Sequence, residues 1–114
     1  MNKTHTEGLS RSAFLILLAL ADQPCHGLGI VDRVERATAG RVKLGPGTLY
    51  GTLHSLASAG LVRETDDAPD PNDDDPRRRY YRLTPKGERV LKADAERLEV
   101  LVAAARERRL LGGA

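Results

Sequence analysis

Residues 45–62, GPGTLYGTLHSLASAGLV, decide the reading of the whole chain. Gly45 and Pro46 suit a helix cap and first turn, because proline lacks the N–H that would go unpaired there. At about 100° per residue, Leu49, Leu53 and Leu56 share one face, which predicts burial of that face and an end to the helix at Gly60. The opposite face carries Gly47, Thr48, Gly51, His54, Ser55 and Ser58, with Tyr50 on the border. A face of glycines, hydroxyls and one histidine, with no large charged side chain, lets another surface approach closely and hydrogen-bond, as a DNA recognition helix must. An ordinary amphipathic helix with a small-residue outer face fits the same periodicity.

Upstream, residues 9–21 hold a nine-residue apolar run, too short to span a bilayer and suited to a buried helix. Asp22, Gln23 and Pro24 break it. A second helix is expected over 27–39, closed by Gly40, with Leu28, Val31 and Val34 inward. Residues 41–44 alternate polar and apolar, which predicts a very short strand. Downstream, 61–65 and 78–83 read as strands, separated by DDAPDPNDDDP, whose prolines and aspartates make it a long hairpin tip. Thr84 and Pro85 then cap and open a last helix that can continue to about residue 111. On it Leu91, Leu98 and Ala105 repeat at seven, with Leu101 and Val102 beside them, a stripe suited to packing on another helix. The expected fold is mainly α with a small β-hairpin wing, a winged helix-turn-helix plus a long C-terminal dimerisation helix. Its expected parts are an N-terminal arm (1–8), the DNA-binding domain (9–83) and the dimerisation helix (84–114).

The chain has 114 residues, room for one modest core. The formal charge of +2 hides an asymmetry, since seven acidic and no basic residues lie between Glu64 and Asp75, leaving 18 basic against nine acidic elsewhere. A basic body is the electrostatic footprint of a phosphate-binding surface, although lysine and arginine also serve plain solubility. The first ten residues lack the apolar segment of a secretory signal and Cys25 stands alone, so a reducing cytoplasm is the expected compartment.

Catalytic and metal signatures are missing. His5, His26 and His54 are scattered, and no nucleophile elbow, P-loop or dinucleotide glycine pattern occurs. Cys25 and His26 lack CxxC or HxxxH spacing. The run from Asp70 has aspartate at the sixth position and Tyr81 at the twelfth, which excludes a calcium loop. No enzyme, cofactor or metal is expected.

These segments together resemble the PadR family of bacterial transcriptional regulators. The resemblance covers about residues 9–100 and rests on LILLAL (15–20), His26-Gly27, GTLYGTLHSLASAGLV (47–62) and RRYYRLTPKG (78–87). It implies a dimeric repressor whose last helix forms the dimer interface and whose third helix and wing contact operator DNA. Two features depart from the pattern: Leu28 replaces the aromatic that often follows His-Gly, and the chain has no tryptophan and only 4% aromatics, unlike members that hold flat aromatic drugs. A small-molecule effector of unspecified chemistry, or a redox role for Cys25, stays open, as does a winged-helix module used for protein assembly, its small-residue face meeting a protein partner. The expected partners are double-stranded DNA and a second copy of the chain, with no membrane. The DNA-binding residues are expected to be Lys43, Gly47, Thr48, Tyr50, Gly51, His54, Ser55, Arg77 and Arg79; at least one wing arginine reaches DNA unless all of them merely neutralise Asp73 to Asp75. The dimer residues are expected to be Leu91, Leu98, Leu101, Val102 and Ala105. Tyr80 and Tyr81 should divide, one packed inward and one exposed.

Overall fold

The computed structural model describes residues 8–66 and 79–112. The expectations placed on the arm (residues 1–7), on the acidic tip from residue 67 onward, and on Arg77 lie outside the described residues. Four helices and three short strands follow in the order α1 (Arg11–Ala19), β1 (Cys25–His26), α2 (Gly27–Ala37), α3 (Pro46–Ser58), β2 (Val62–Thr65), β3 (Tyr80–Leu83) and α4 (Pro85–Glu107).

Three helix starts are capped by a side chain, whereas α3 opens at Gly45 and Pro46 with no side-chain cap. The Ser10 hydroxyl accepts from the Ala13 N–H (3.1 Å) at the start of α1, and the Thr84 hydroxyl accepts from the Gly87 N–H (3.0 Å) at the start of α4, so both satisfy donors that have no partner inside the helix. At α2 the cap is a histidine, whose Nδ1 accepts from the Gly29 N–H at 3.2 Å and is therefore unprotonated. Left-handed residues follow α2 and α3, Ala39 and Gly40 at φ 54° and 80° after the first and Gly60 at φ 77° after the second. Their next-turn bonds, Gly40 N–H to Glu35 O (2.8 Å) and Leu61 N–H to Leu56 O (2.9 Å), close the last carbonyls.

The core gathers Ile16, Leu17 and Leu20 of the α1 region, Ile30 and Val34 of α2, Leu49, Leu53 and Leu56 of α3, Leu61 and Val62, and Leu91 of α4. Fully burying one such leucine or isoleucine is worth about 1.5–3 kcal/mol, so this cluster is the main source of stability. Two glycines permit its closest approaches. A Cβ on Gly87 would overlap the Leu61 carbonyl oxygen, and one on Gly27 would meet the Tyr50 hydroxyl.

The strand expected at 41–44 does not form. Leu44 is buried and Val42 half-buried, so their alternation serves packing of an extended linker instead of pairing. The third strand is Cys25–His26, which pairs antiparallel with β3 to give the order β1-β3-β2. Cys25 lies opposite Tyr81 and His26 opposite Tyr80, while Arg63 faces Arg82 and Glu64 faces Tyr81 across the hairpin. The last helix ends at Glu107, short of residue 111, because Arg109 turns left-handed (φ 59°) and the Leu110 N–H closes on Ala105 O at 3.0 Å.

Candidate nucleic-acid interface

α3 divides as its periodicity predicts. Leu49, Leu53 and Leu56 are buried, and Gly47, Thr48, Tyr50, Gly51, His54, Ser55 and Ser58 are exposed on the outer side. Lys43 is exposed in the linker that enters the helix. Beside the Thr48 edge, a shallow depression of about 390 Å³ opens between α3 and the N-terminal end of α1, with Ser10 and Ala13 on one wall and Leu56 and Leu61 among its lining. On the other edge Tyr50 leans over Gly27 at the start of α2, with half its surface still exposed (52%). The tyrosine is thus both a packing residue and part of the outer surface.

The wing meets α3 on this second edge. Alternation in β3 puts Arg79, Tyr81 and Leu83 on one face of the sheet and Tyr80 and Arg82 on the other. Neither tyrosine is exposed: Tyr80 is buried and Tyr81 half-buried. Tyr80 meets the His26 ring edge-on, with centroids 5.4 Å apart and planes at 87°. The Tyr81 phenol is pushed above its ordinary range by burial first, then by the nearby Glu64 carboxylate and the Tyr50 hydroxyl, with Arg79 opposing them. It therefore stays a hydrogen-bond donor at neutral pH. Arg79 donates from Nη1 to Glu64 Oε1 at 3.0 Å, and that carboxylate holds the guanidinium firmly protonated. Sequence reading had paired the arginine with phosphate or with Asp73 to Asp75, and the partner here is Glu64. Glu64 and the facing pair Arg63 and Arg82 carry no functional signal in the sequence, and Tyr81 is marked there only as one of two tyrosines that should divide between inside and outside. The hairpin register that brings them together has no local signature in the sequence.

The α4 stripe splits in two. Leu91 is buried in the chain's own core, which withdraws it from the expected partner contact, and Asp94 on the same stripe is buried and paired with Arg97 at 3.2 Å. Beyond them Leu98, Leu101 and Val102 are exposed (41, 63 and 44%), with Ala105 half-buried among them. Val100 is also exposed, on the far side of the helix.

Cys25 is buried, and burial pushes its thiol up despite the Arg33 charge and a backbone hydrogen bond that pull it down. A protonated, enclosed thiol is a poor nucleophile, which makes Cys25 slow to react. Among the described residues no three His, Cys, Asp or Glu side chains come together as metal ligands, and no helix is long and apolar enough to cross a membrane.

Three helices followed by a β-hairpin, with a two-residue strand joined to its edge, define a winged helix-turn-helix. Residues 16–93 match the transcriptional regulator PadR-like family, and the chain belongs to that family of transcriptional regulators. It is 36% identical over 98 residues to the transcriptional regulator Rv3488 of Mycobacterium tuberculosis, covering 86% of this chain and 80% of that one. It is 41% identical over 81 residues to an uncharacterized 37.1 kDa protein in transposon TN4556 of Streptomyces fradiae; the match takes in 71% of this chain but spans only 21% of that protein's length. A PadR family transcription regulator from Clostridium difficile R20291 shares the fold with a TM-score of 0.71 at 21% identity, over 86% of this chain and 97% of the other.

Proposed function

We propose that the chain is a sequence-specific, DNA-binding repressor that works in the cytoplasm as a homodimer on a pseudo-palindromic operator. The observation that carries this reading is the outer face of α3, exposed over three turns yet made of glycine, threonine, serine, histidine and one tyrosine. A helix dressed this way fits a major groove, where short donors and acceptors reach base edges without desolvating a long charged side chain. In this reading Gly47 and Gly51 allow close approach, Thr48, Tyr50, His54 and Ser55 meet the bases or flanking backbone, and Lys43, Arg77 and Arg79 hold phosphates.

The exposed stripe of Leu98, Leu101 and Val102, with Ala105, supports dimerisation, because a monomer would leave it in water. Two α3 helices related by a twofold axis would lie about 34 Å apart, or a multiple of that, to read successive turns of DNA. Leu91 belongs to the monomer and takes no part.

Titration of a promoter fragment at two salt concentrations tests the first half of the proposal: affinity must fall steeply with salt as counterions are released. A chain that binds no duplex at low salt is a protein-assembly module instead. The variant Leu98→Asp with Leu101→Asp tests the second half. It should sediment as a folded monomer and bind DNA at least about tenfold more weakly, because the half-sites lose their linkage. An unchanged mass in ultracentrifugation places the interface elsewhere.

A further inference from the structure

The β2–β3 register puts Glu64 opposite Tyr81, and Arg79, two residues before Tyr81, shares that face. The Arg79 guanidinium is therefore held by a carboxylate 3.0 Å away, on the face of the wing that carries Tyr81, whose phenol lies within electrostatic reach of the Tyr50 hydroxyl of α3. Both side chains are largely exposed, at 73% and 55%, so the fold does not depend on their pairing. Yet the pair stands where the proposed phosphate contact would form. A guanidinium engaged by a carboxylate must leave it, at least in part, to hold a phosphate, and the abandoned carboxylate then lies beside the DNA backbone as a like charge.

This cost falls equally on every DNA sequence, whereas the return differs. On random DNA the backbone is not held at a fixed distance from the wing, and a loose contact to Arg79 does not offset the loss of Glu64. On a site where α3 is seated in register, a phosphate is fixed near the guanidinium and the exchange is favourable. We propose that Glu64 is a specificity-determining residue: as an internal counter-ion for Arg79 it suppresses binding to random DNA more than binding to the operator. The inference rests on the DNA-binding reading above and adds to it a residue that makes no DNA contact of its own.

The test uses the full chain, a random-sequence duplex of about 30 base pairs, roughly three helical turns, and a duplex of the same length recovered by selection from a random library. Glu64→Gln keeps the shape and removes the charge. It should raise affinity for the random duplex roughly three- to tenfold and steepen its salt slope by about one, with a smaller gain on the selected duplex. In an Arg79→Ala background the same substitution should give less than about a twofold gain and leave the slope unchanged, because only one like charge near the backbone is removed and the guanidinium it would liberate is gone. The thermal midpoint should move by less than about 2 °C, as for other exposed pairs. If Glu64→Gln weakens random-duplex binding, the carboxylate positions Arg79 instead of restraining it. If affinity and slope stay unchanged, or the full effect persists without Arg79, the pair has no part in specificity. Any of these overturns the inference and leaves the DNA-binding reading intact, whereas a wild-type chain that binds neither duplex removes both.

Discussion

α3 and α4 are both half inside the molecule and half outside, but their outer surfaces are opposites. α3 shows small and hydroxylated residues along its whole exposed side, whereas the far half of α4 shows leucine and valine. The α3 face carries no charged side chain, whereas the apolar stripe of α4 runs beside exposed charges such as Glu96, Arg97 and Glu99. The first surface suits a polar partner that must come close, and the second suits an apolar partner that must exclude water. The two helices also sit differently in their own domain: α3 is anchored along its length by Leu49, Leu53 and Leu56, α4 only at its start, through Gly87, Leu91 and Asp94.

The sharpest way to break this contrast is to make one substitution in both helices. Leu53→Ala should lower the unfolding free energy by about 2–5 kcal/mol at any protein concentration, through lost burial and a cavity. Leu101→Ala should cost no more than about 0.5 kcal/mol in dilute solution and act on association instead. Urea denaturation across a range of concentrations reads both; similar losses in the two variants at high dilution would mean that α4 is anchored far beyond Asp94.

A smaller effect is expected where the sheet joins the helices. His26→Ala removes the acceptor for Gly29 N–H and the ring against Tyr80, and should cost about 1–2 kcal/mol. His26→Asn, which keeps a cap acceptor, should recover most of the cap and none of the ring contact. Equal losses in the two variants would show that the hydrogen bond is worth nothing there.

The smallest effect is electrostatic. Burial raises both Cys25 and Tyr81 above their ordinary values of 9.0 and 10.0, so the unfolded chain gives up these protons at lower pH than the folded chain does. Their contribution is complete below those values and is lost as pH rises past them. Denaturation midpoints should therefore decline from about pH 9 upward, and less steeply in Cys25→Ala. A flat profile up to about pH 11 would mean that neither group is effectively desolvated in solution.

Much of this architecture is legible in the sequence because its boundaries are chemical. Ser10, Pro46 and the Thr84-Pro85 pair mark helix starts, Gly40 and Gly60 mark ends, and the leucines of α3 announce its inner face. What escapes is decided at long range. Cys25 and His26 are too few to show a strand period, and they become a strand only because β3 offers its edge. The alternation at Val42 and Leu44 signals burial without pairing. A heptad repeat does not say where a domain's own core stops, so Leu91 and Leu98 read alike although one is buried and the other exposed. Arg109 ends α4 in a conformation that favours glycine, at a position where composition gives no stop signal. The pairing of Arg79 with Glu64 depends on a hairpin register that no local pattern encodes.

The junction between α3 and α4 behaves as a fulcrum. Three consecutive carbonyls after α3 are taken by the start of α4: Ala59 by the Lys86 ammonium (3.0 Å), Gly60 by the Thr84 hydroxyl (2.6 Å) and Leu61 by the Thr84 N–H (3.1 Å), with Gly87 packed flush against the same turn. No slack remains in that knot to absorb a change of angle. α4 extends about 34 Å from it, so one degree of tilt corresponds to roughly 0.6 Å at the far end of the lever. The reverse also holds: whatever grips the distal turns of α4 gains mechanical advantage over the attitude of α3, and a displacement of about 3 Å there would turn the other arm by roughly five degrees.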